Sequence, residues 1–270
     1  MKRIHLFEFE DFAWFPNWIR VCLTRLMVVM HRLLGTNQEL ADLVGKGLEF
    51  SSRPSIIDLC SGSGGAMIGV AKTLKEDYQI KNLTLTLTDL FPNKELASKI
   101  NQDNSGNIAY RSTSVDATNV PSDLIGLRTM VCSFHHMKPA TARSILENVK
   151  DRKQLICIYE ISDNSFPIFL WWIVLPLNFI MAFLITPFVR PLTWKQVLFT
   201  YLIPIIPFFF AWDGAVSNAR TYTLEDLDVL LKGLETEDYE WEKGRITGMT
   251  KKIYILGTPI SKNNTGYDNS

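Results

Sequence analysis

The chain has 270 residues, enough for one large α/β domain with an insertion, and its 47% hydrophobic content excludes disorder along its whole length. Lysine and arginine total 28, as do aspartate and glutamate, so no net field draws in a nucleic-acid backbone and no nucleic-acid partner is expected. Cys22, Cys60, Cys132 and Cys157 lie far apart with no C-x-x-C pair and read as reduced, buried thiols.

Met1-Lys2-Arg3 is positively charged, but Glu8, Glu10 and Asp11 interrupt the following stretch before an apolar run can form. A cleaved secretory signal is therefore not expected, and the soluble part should face the cytoplasm. Pro16 and Gly35 bracket a predicted helix over Asn17 to Leu34. Ile19, Cys22, Leu23, Leu26, Met30 and Leu33 recur at three- and four-residue spacings, with Arg20, Arg25 and Arg32 between them. This is an amphipathic helix with a basic side; it either packs on the main domain or covers a substrate at a membrane surface.

After Pro54, short apolar or β-branched runs alternate with helix-compatible segments, which predicts a mostly parallel sheet covered by helices. The expected strands are Ser55 to Leu59, Leu83 to Thr88, Ile108 to Ser112, Arg128 to Ser133 and Leu155 to Tyr159. Tyr239 to Lys243 and Lys252 to Leu256 follow as an antiparallel hairpin at the sheet edge. The sequence thus divides into an N-terminal helical region (1–50), a core (51–165 and 213–260), a hydrophobic hairpin (166–212) and a flexible tail (261–270).

The hairpin begins with Ile168 to Val189, about 22 residues without a charge, long enough to cross a hydrocarbon core of roughly 30 Å. Val197 to Ala211 is shorter and holds Pro204 and Pro207, which suits a re-entrant or interfacial segment. Strands before and after must join one sheet, so the chain has to return to the side it left. Arg190 and Lys195 at the tip oppose full crossing and favour partial insertion of 168–211 into a bilayer. An apolar helical pair packed in protein, or at the interface of a homo-oligomer, is the alternative.

Within the core, Ile56-Ile57-Asp58-Leu59-Cys60-Ser61-Gly62-Ser63-Gly64-Gly65-Ala66 is a strand, a glycine-rich turn and the start of a helix. The turn lets a ligand approach the backbone, and the helix start offers N–H donors. A dinucleotide fingerprint would need glycine where Met67 stands, and Asp58 ahead of the turn suits a cationic ligand better than a pyrophosphate. The stretch from Asp58 to Gly65 resembles motif I of the class I S-adenosylmethionine-dependent methyltransferases, with Cys60 where that family usually has its first glycine. Asp89, ending the second strand, stands at that family's motif II position, where an acid can accept both ribose hydroxyls. Asp116 resembles the residue that receives the adenine amino group.

The resemblance implies a Rossmann-like seven-stranded sheet and places S-adenosylmethionine on Asp58, Cys60, Gly62, Gly64, Asp89, Leu90, Asp116, Ala117 and Ser133. His135 and His136 follow the fourth strand, where the family's methyl donor and acceptor meet. Either can act as a general base, held in its tautomer by Glu160 or Asp163. Two histidines alone are too few ligands for a metal, so none is expected. Beyond the hairpin, Asp213, Ser217, Arg220 and Tyr222, together with Glu160, are candidates for holding a polar head group. The expected activity is methyl transfer to a lipophilic or membrane-located small molecule. A membrane-bound sensor or scaffold that keeps the cofactor pocket, and an NAD(P)-dependent oxidoreductase, are the alternatives.

Overall fold

The computed structural model describes residues 1–103, 107–248 and 250–260. The expected tail, 261–270, lies outside them. Seven strands form one sheet: β1 (Ser55–Asp58), β2 (Thr84–Leu87), β3 (Ile108–Tyr110), β4 (Leu127–Val131), β5 (Ile156–Glu160), β6 (Tyr239–Thr247) and β7 (Lys251–Pro259). Their order is β3-β2-β1-β4-β5-β7-β6. β1 to β5 pair in parallel, β7 runs antiparallel to both its neighbours, and β6 therefore runs with the rest. This is the Rossmann-like sheet with a C-terminal hairpin that the alternation predicted. The hairpin strands are longer than expected because both carry their pairing out to Thr247 and Lys251.

Helices cover both faces, as a parallel sheet requires. One face packs on α5 (Pro139–Asp151) and α9 (Leu224–Leu231), with Ile145, Leu146, Leu227 and Leu230 against Ile57, Met130 and Ile158. The other packs on α2 (Thr36–Glu49), α3 (Met67–Glu76) and α4 (Lys94–Gln102), with Leu40, Val44, Val70 and Leu74 against Ile56, Leu85 and Cys157. α2 went unread in the sequence, although Leu40, Leu43, Val44 and Leu48 carry the helical spacing; all four are buried. A Thr223–Asp226 capping box starts α9, each side chain bonding the other's backbone N–H.

The remaining helices form a third cluster. α1 (Asn17–Leu33) buries Ile19, Cys22, Leu23, Leu26 and Val29 against Ala182 and Ile185 of α6 (Trp171–Ile185) and Ile206 and Phe210 of α8 (Ile205–Arg220). The N-terminal helix and the apolar segment are thus one packing unit. Leu33, expected on the apolar face, is exposed where the helix ends. Between α6 and α8 the chain runs through α7 (Trp194–Val197) and a wide turn, Leu198–Leu202, then bends by 83° at Ile203 and Pro204. Proline lacks the N–H that an unbroken helix would need there.

Candidate active site

The C-terminal ends of β1, β2, β4 and β5 open into one cavity of about 1060 Å³, whose far wall is made by α1, α6 and α8. Every chemically distinctive stretch of the sequence converges on it or borders it.

The glycine turn between β1 and α3 is left-handed at Cys60 (φ 58°), Gly62 (51°), Gly64 (95°) and Gly65 (46°). A Cβ at Gly62 or Gly65 would meet nothing within 4 Å. Both face the cavity, so glycine is needed there for the backbone conformation and leaves the peptide open to a ligand. Cys60 adopts the glycine-like conformation in spite of its side chain, which is half-buried against the cavity wall. The thiols of Cys60 and Cys132 are therefore less enclosed than the sequence suggested, and burial raises the pKa of each.

Asp58 does not reach the cavity. Ser61 Oγ donates to its Oδ2 over 2.6 Å and Thr129 Oγ1 donates to its Oδ1 over 2.7 Å. Burial pushes its carboxyl up to about 7 in spite of these two bonds. The residue expected to contact a cationic ligand instead ties β1, β4 and the turn together from below.

Asp89 lies where the sequence placed it. Its Oδ2 accepts from Gly62 N over 2.8 Å and its Oδ1 from Phe91 N over 2.8 Å, which orients both oxygens and leaves lone pairs toward the cavity. Leu90 lines the cavity beside it. Asp116 is exposed after β3, with Oδ1 accepting from Thr118 N and Oγ1; Val115 N donates to Asp89 O, which docks this loop on the β2 end. Ala117 is buried among core residues, and neither it nor Asp116 lines the cavity. Ser133 faces the cavity with a buried hydroxyl that has no partner.

His135 and His136 stand side by side, ring centroids 4.3 Å apart. His135 Nδ1 is 2.7 Å from Glu160 Oε2, and its backbone N–H donates to Glu160 Oε1 over 3.0 Å. Glu160 is therefore the histidine's orienting carboxylate, and with both oxygens so engaged it is not a head-group ligand. Asp163, the other candidate, is turned to Ser165 N and Arg245 instead. His136 Nδ1 is 2.8 Å from Asp11 Oδ1.

Asp11 belongs to a strap that sequence reasoning had read only as a charged interruption. Residues 1–16 cross the ends of β4, α8 and α9. Lys2 N and Arg3 N donate to the Asp226 carboxylate, Arg3 Nη2 donates to His135 O, and Phe9 N donates to Asp213 Oδ1. The strap brings Glu8 into the interior. Its carboxylate is fully buried, with both oxygens lacking a hydrogen bond; His135 Nε2 lies 3.7 Å from Oε1 and His136 Nε2 3.6 Å from Oε2. Burial pushes the Glu8 carboxyl up to about 8 against the charges of His136 and Arg220. For Asp11, burial acts the same way but is outweighed by bonds to His136 and Arg220, which hold its carboxyl well below the usual range. No periodicity marks these acids; only the long-range backbone bonds of the strap reveal them.

Two of the expected head-group residues are structural. Arg220 is 1% exposed, with Nη1 2.5 Å from Asp11 Oδ2 and 3.2 Å from Glu8 Oε1. It braces the strap acids. Tyr222 is buried against Phe134, its hydroxyl donating to Met137 O and Arg3 stacked 4.4 Å above its ring. Asp213 and Ser217 do line the cavity, and Asp213 Oδ2 is buried without a partner. His31, unread in the sequence, also lines it; burial lowers its pKa to about 4, so it is neutral, with Nδ1 on Thr36 Oγ1 and Nε2 3.6 Å from Cys132 Sγ.

No protein-family model matches the sequence, and no curated protein matches it. Solved structures do match. A SAM-dependent methyltransferase from Aquifex aeolicus has a TM-score of 0.44 at 11% identity, with 82% of this chain and 89% of that one covered. The methyltransferase domain of bacterial CtHen1-CN has 0.47 at 12%, covering 85% and 99%. The pyocyanin biosynthetic protein PhzM has 0.45 at 14%, covering 80% and 53%. The chain spans about half the length of PhzM and of the other first matches.

The sheet has the Rossmann-like order that the resemblance of its motifs to the class I methyltransferases implies. The order β3-β2-β1-β4-β5-β7-β6 with β7 alone reversed carries that assignment. At such identities and TM-scores these matches carry nothing about the site, and what it can do rests on its own residues.

Proposed function

We propose that the protein is an S-adenosylmethionine-dependent methyltransferase acting on a lipophilic small molecule at a membrane. The observation that carries this reading is a single cavity holding an open left-handed glycine turn, an oriented acid on the next strand, and a carboxylate-paired histidine.

The residues fit the cofactor. Asp89 would take the ribose hydroxyls, the bare backbone at Gly62 and Gly65 would admit the ligand closely, and the unpartnered Ser133 hydroxyl would find its missing bond. Asp116, exposed on the loop that Val115 N docks on Asp89 O, would have to approach the adenine from outside the cavity lining. When bound, the cofactor supplies an electrophilic sulfonium methyl group. His135 is oriented by Glu160 with its Nε2 turned inward to Glu8, and His136 beside it, the more exposed of the pair and oriented by Asp11, would accept the proton leaving an acceptor hydroxyl or amine. Alignment of the acceptor by the walls supplies the rest.

The lipophilic acceptor and the membrane are supported by the helical cap. The apolar span Trp171–Phe188 is only 17% buried, which disfavours a core helix of a soluble domain. Trp172, Leu177 and Leu184 are exposed on this span and Trp194 and Leu202 on the segment after it, whose 83° bend suits a stretch that enters a bilayer and returns. The inner side of the same helices, through Val174 and Phe210, lines the cavity, so an acceptor could pass between lipid and site.

Calorimetric titration of detergent-purified protein with S-adenosylmethionine tests the first half. Micromolar binding, weakened about 10- to 100-fold in Asp89→Ala, is expected; folded protein that binds neither the cofactor nor its demethylated product would end the reading. Transfer of a labelled methyl group to a lipid extract, but not to its water-soluble fraction, tests the second.

A further inference from the structure

We propose that Glu8, His135 and His136 form a site for one divalent first-row transition-metal ion. The metal site itself stands apart from the methyl-transfer reading.

Three groups of metal-ligand chemistry converge here, with one ligand atom from each lying within 4.8 Å of the others. The separations decide what they can do. At 3.7 and 3.6 Å, the histidine Nε2 atoms are too far from the Glu8 oxygens for hydrogen bonds. Atoms held about 2.0–2.2 Å from a shared ion stand roughly 3–3.6 Å apart at octahedral or tetrahedral angles, so the spacing suits joint ligation after a shift of a few tenths of an ångström. A buried carboxylate with two unbonded oxygens beside a buried, unbonded imidazole nitrogen is costly unless something binds there.

The outer partners point the same way. Each histidine has Nδ1 on a carboxylate, His135 on Glu160 at 2.7 Å and His136 on Asp11 at 2.8 Å. That pairing suits a proton on Nδ1 and leaves the Nε2 of each ring facing Glu8, the orientation found in metal–histidine–carboxylate arrangements. Arg220 Nη1, 3.2 Å from Glu8 Oε1, steadies the ligating carboxylate from outside. Two imidazoles and one carboxylate leave coordination positions open, and the two histidines line the cavity. An ion there would occupy both Nε2 lone pairs, so it would take the place of a free histidine base by holding a donor atom of a bound acceptor and easing loss of its proton; that extension, unlike the site itself, rests on the methyltransferase reading.

The test uses the full-length, untagged protein in detergent, stripped with a chelator and titrated with Co²⁺, read by visible absorption, and with Zn²⁺, read by competition with a chromophoric chelator. One equivalent per chain is expected. Glu8→Gln and His136→Ala should each weaken binding at least tenfold, Glu160→Gln about tenfold through the outer partner, and the surface control His5→Gln not at all. Circular dichroism establishes that each variant is folded, and a rise in Tm on adding Zn²⁺ should occur in the wild type and be absent in Glu8→Gln. Folded wild-type protein that takes up neither ion, or uptake unchanged in both Glu8→Gln and His136→Ala, would overturn the site. Metal uptake without cofactor binding would leave the site standing and remove only the extension.

Discussion

The backbone N–H of Gly62 donates to Asp89 Oδ2 over 2.8 Å, so the acid ending β2 fastens the glycine turn that ends β1. One side chain thus does two jobs: it closes the turn and presents its remaining lone pairs to the cavity. Asp89→Ala should weaken S-adenosylmethionine binding by about 10- to 100-fold, the range of losing a charge-assisted hydrogen bond. An unchanged Kd by calorimetry would remove Asp89 from the cofactor site.

Gly64 has φ 95°, and a Cβ there would lie 3.1 Å from Ile68 Cδ1. Gly64→Ala should cost about 1–2 kcal/mol through the left-handed backbone alone, since the Ile68 methyl can swing aside. Denaturant unfolding measures the loss, and cofactor affinity should fall with it because the turn is displaced.

Asp58 has a folded-state carboxyl pKa raised to about 7 by burial, above its ordinary value near 4. The unfolded chain releases this proton at the lower pH, so the folded state binds the extra proton in between. The contribution to stability is full below pH 4 and declines as pH rises to about 7, by roughly 4 kcal/mol at most. Asp58→Asn should flatten this part of the stability profile. A profile identical to that of the wild type between pH 4 and 7 would show that the carboxyl ionises as readily inside as outside.

Leu184 is 66% exposed on the outer side of α6. Leu184→Glu removes little packing, so the fold in detergent should survive with a change in stability of about 0.5 kcal/mol or less. Partition to vesicles should fall by about tenfold or more, because a carboxylate is far less welcome in hydrocarbon than leucine. Unchanged flotation together with a dimer broken to monomers would assign this face to a second copy of the chain instead.

Arg220 lies between the buried Glu8 and the partly exposed Asp11. Arg220→Met leaves both carboxylates without it and should destabilise the protein by about 3 kcal/mol. Cofactor affinity should hold in the protein that stays folded, since Arg220 does not line the cavity. A loss of binding with no loss of stability would restore Arg220 as a ligand-contacting residue.

The chain's local patterns determine most of the scaffold. Alternating apolar runs and helical spacings set the seven strands within a residue or two at most ends, Thr223 and Asp226 set the start of α9, and the glycines after Asp58 set the turn that faces the cavity. These are decided between near neighbours in sequence, where backbone conformation and side-chain periodicity act directly. Asp89 was legible for the same reason, standing at a strand end whose position the periodicity fixes.

Tertiary structure decided which acids and bases are free. Asp58 looked like a ligand and is consumed by Ser61 and Thr129, because hydroxyls brought in by the turn and by β4 reach it first. Arg220 and Tyr222 looked accessible and are buried, because the strap fills the space before them. Glu8 and Asp11 carried no signal in sequence, yet stand beside His136, 125 to 128 positions further along the chain, because the backbone bonds of the strap to Asp213 and Asp226 hold them there. Such pairings follow from how separate segments pack, a relation that no local pattern encodes.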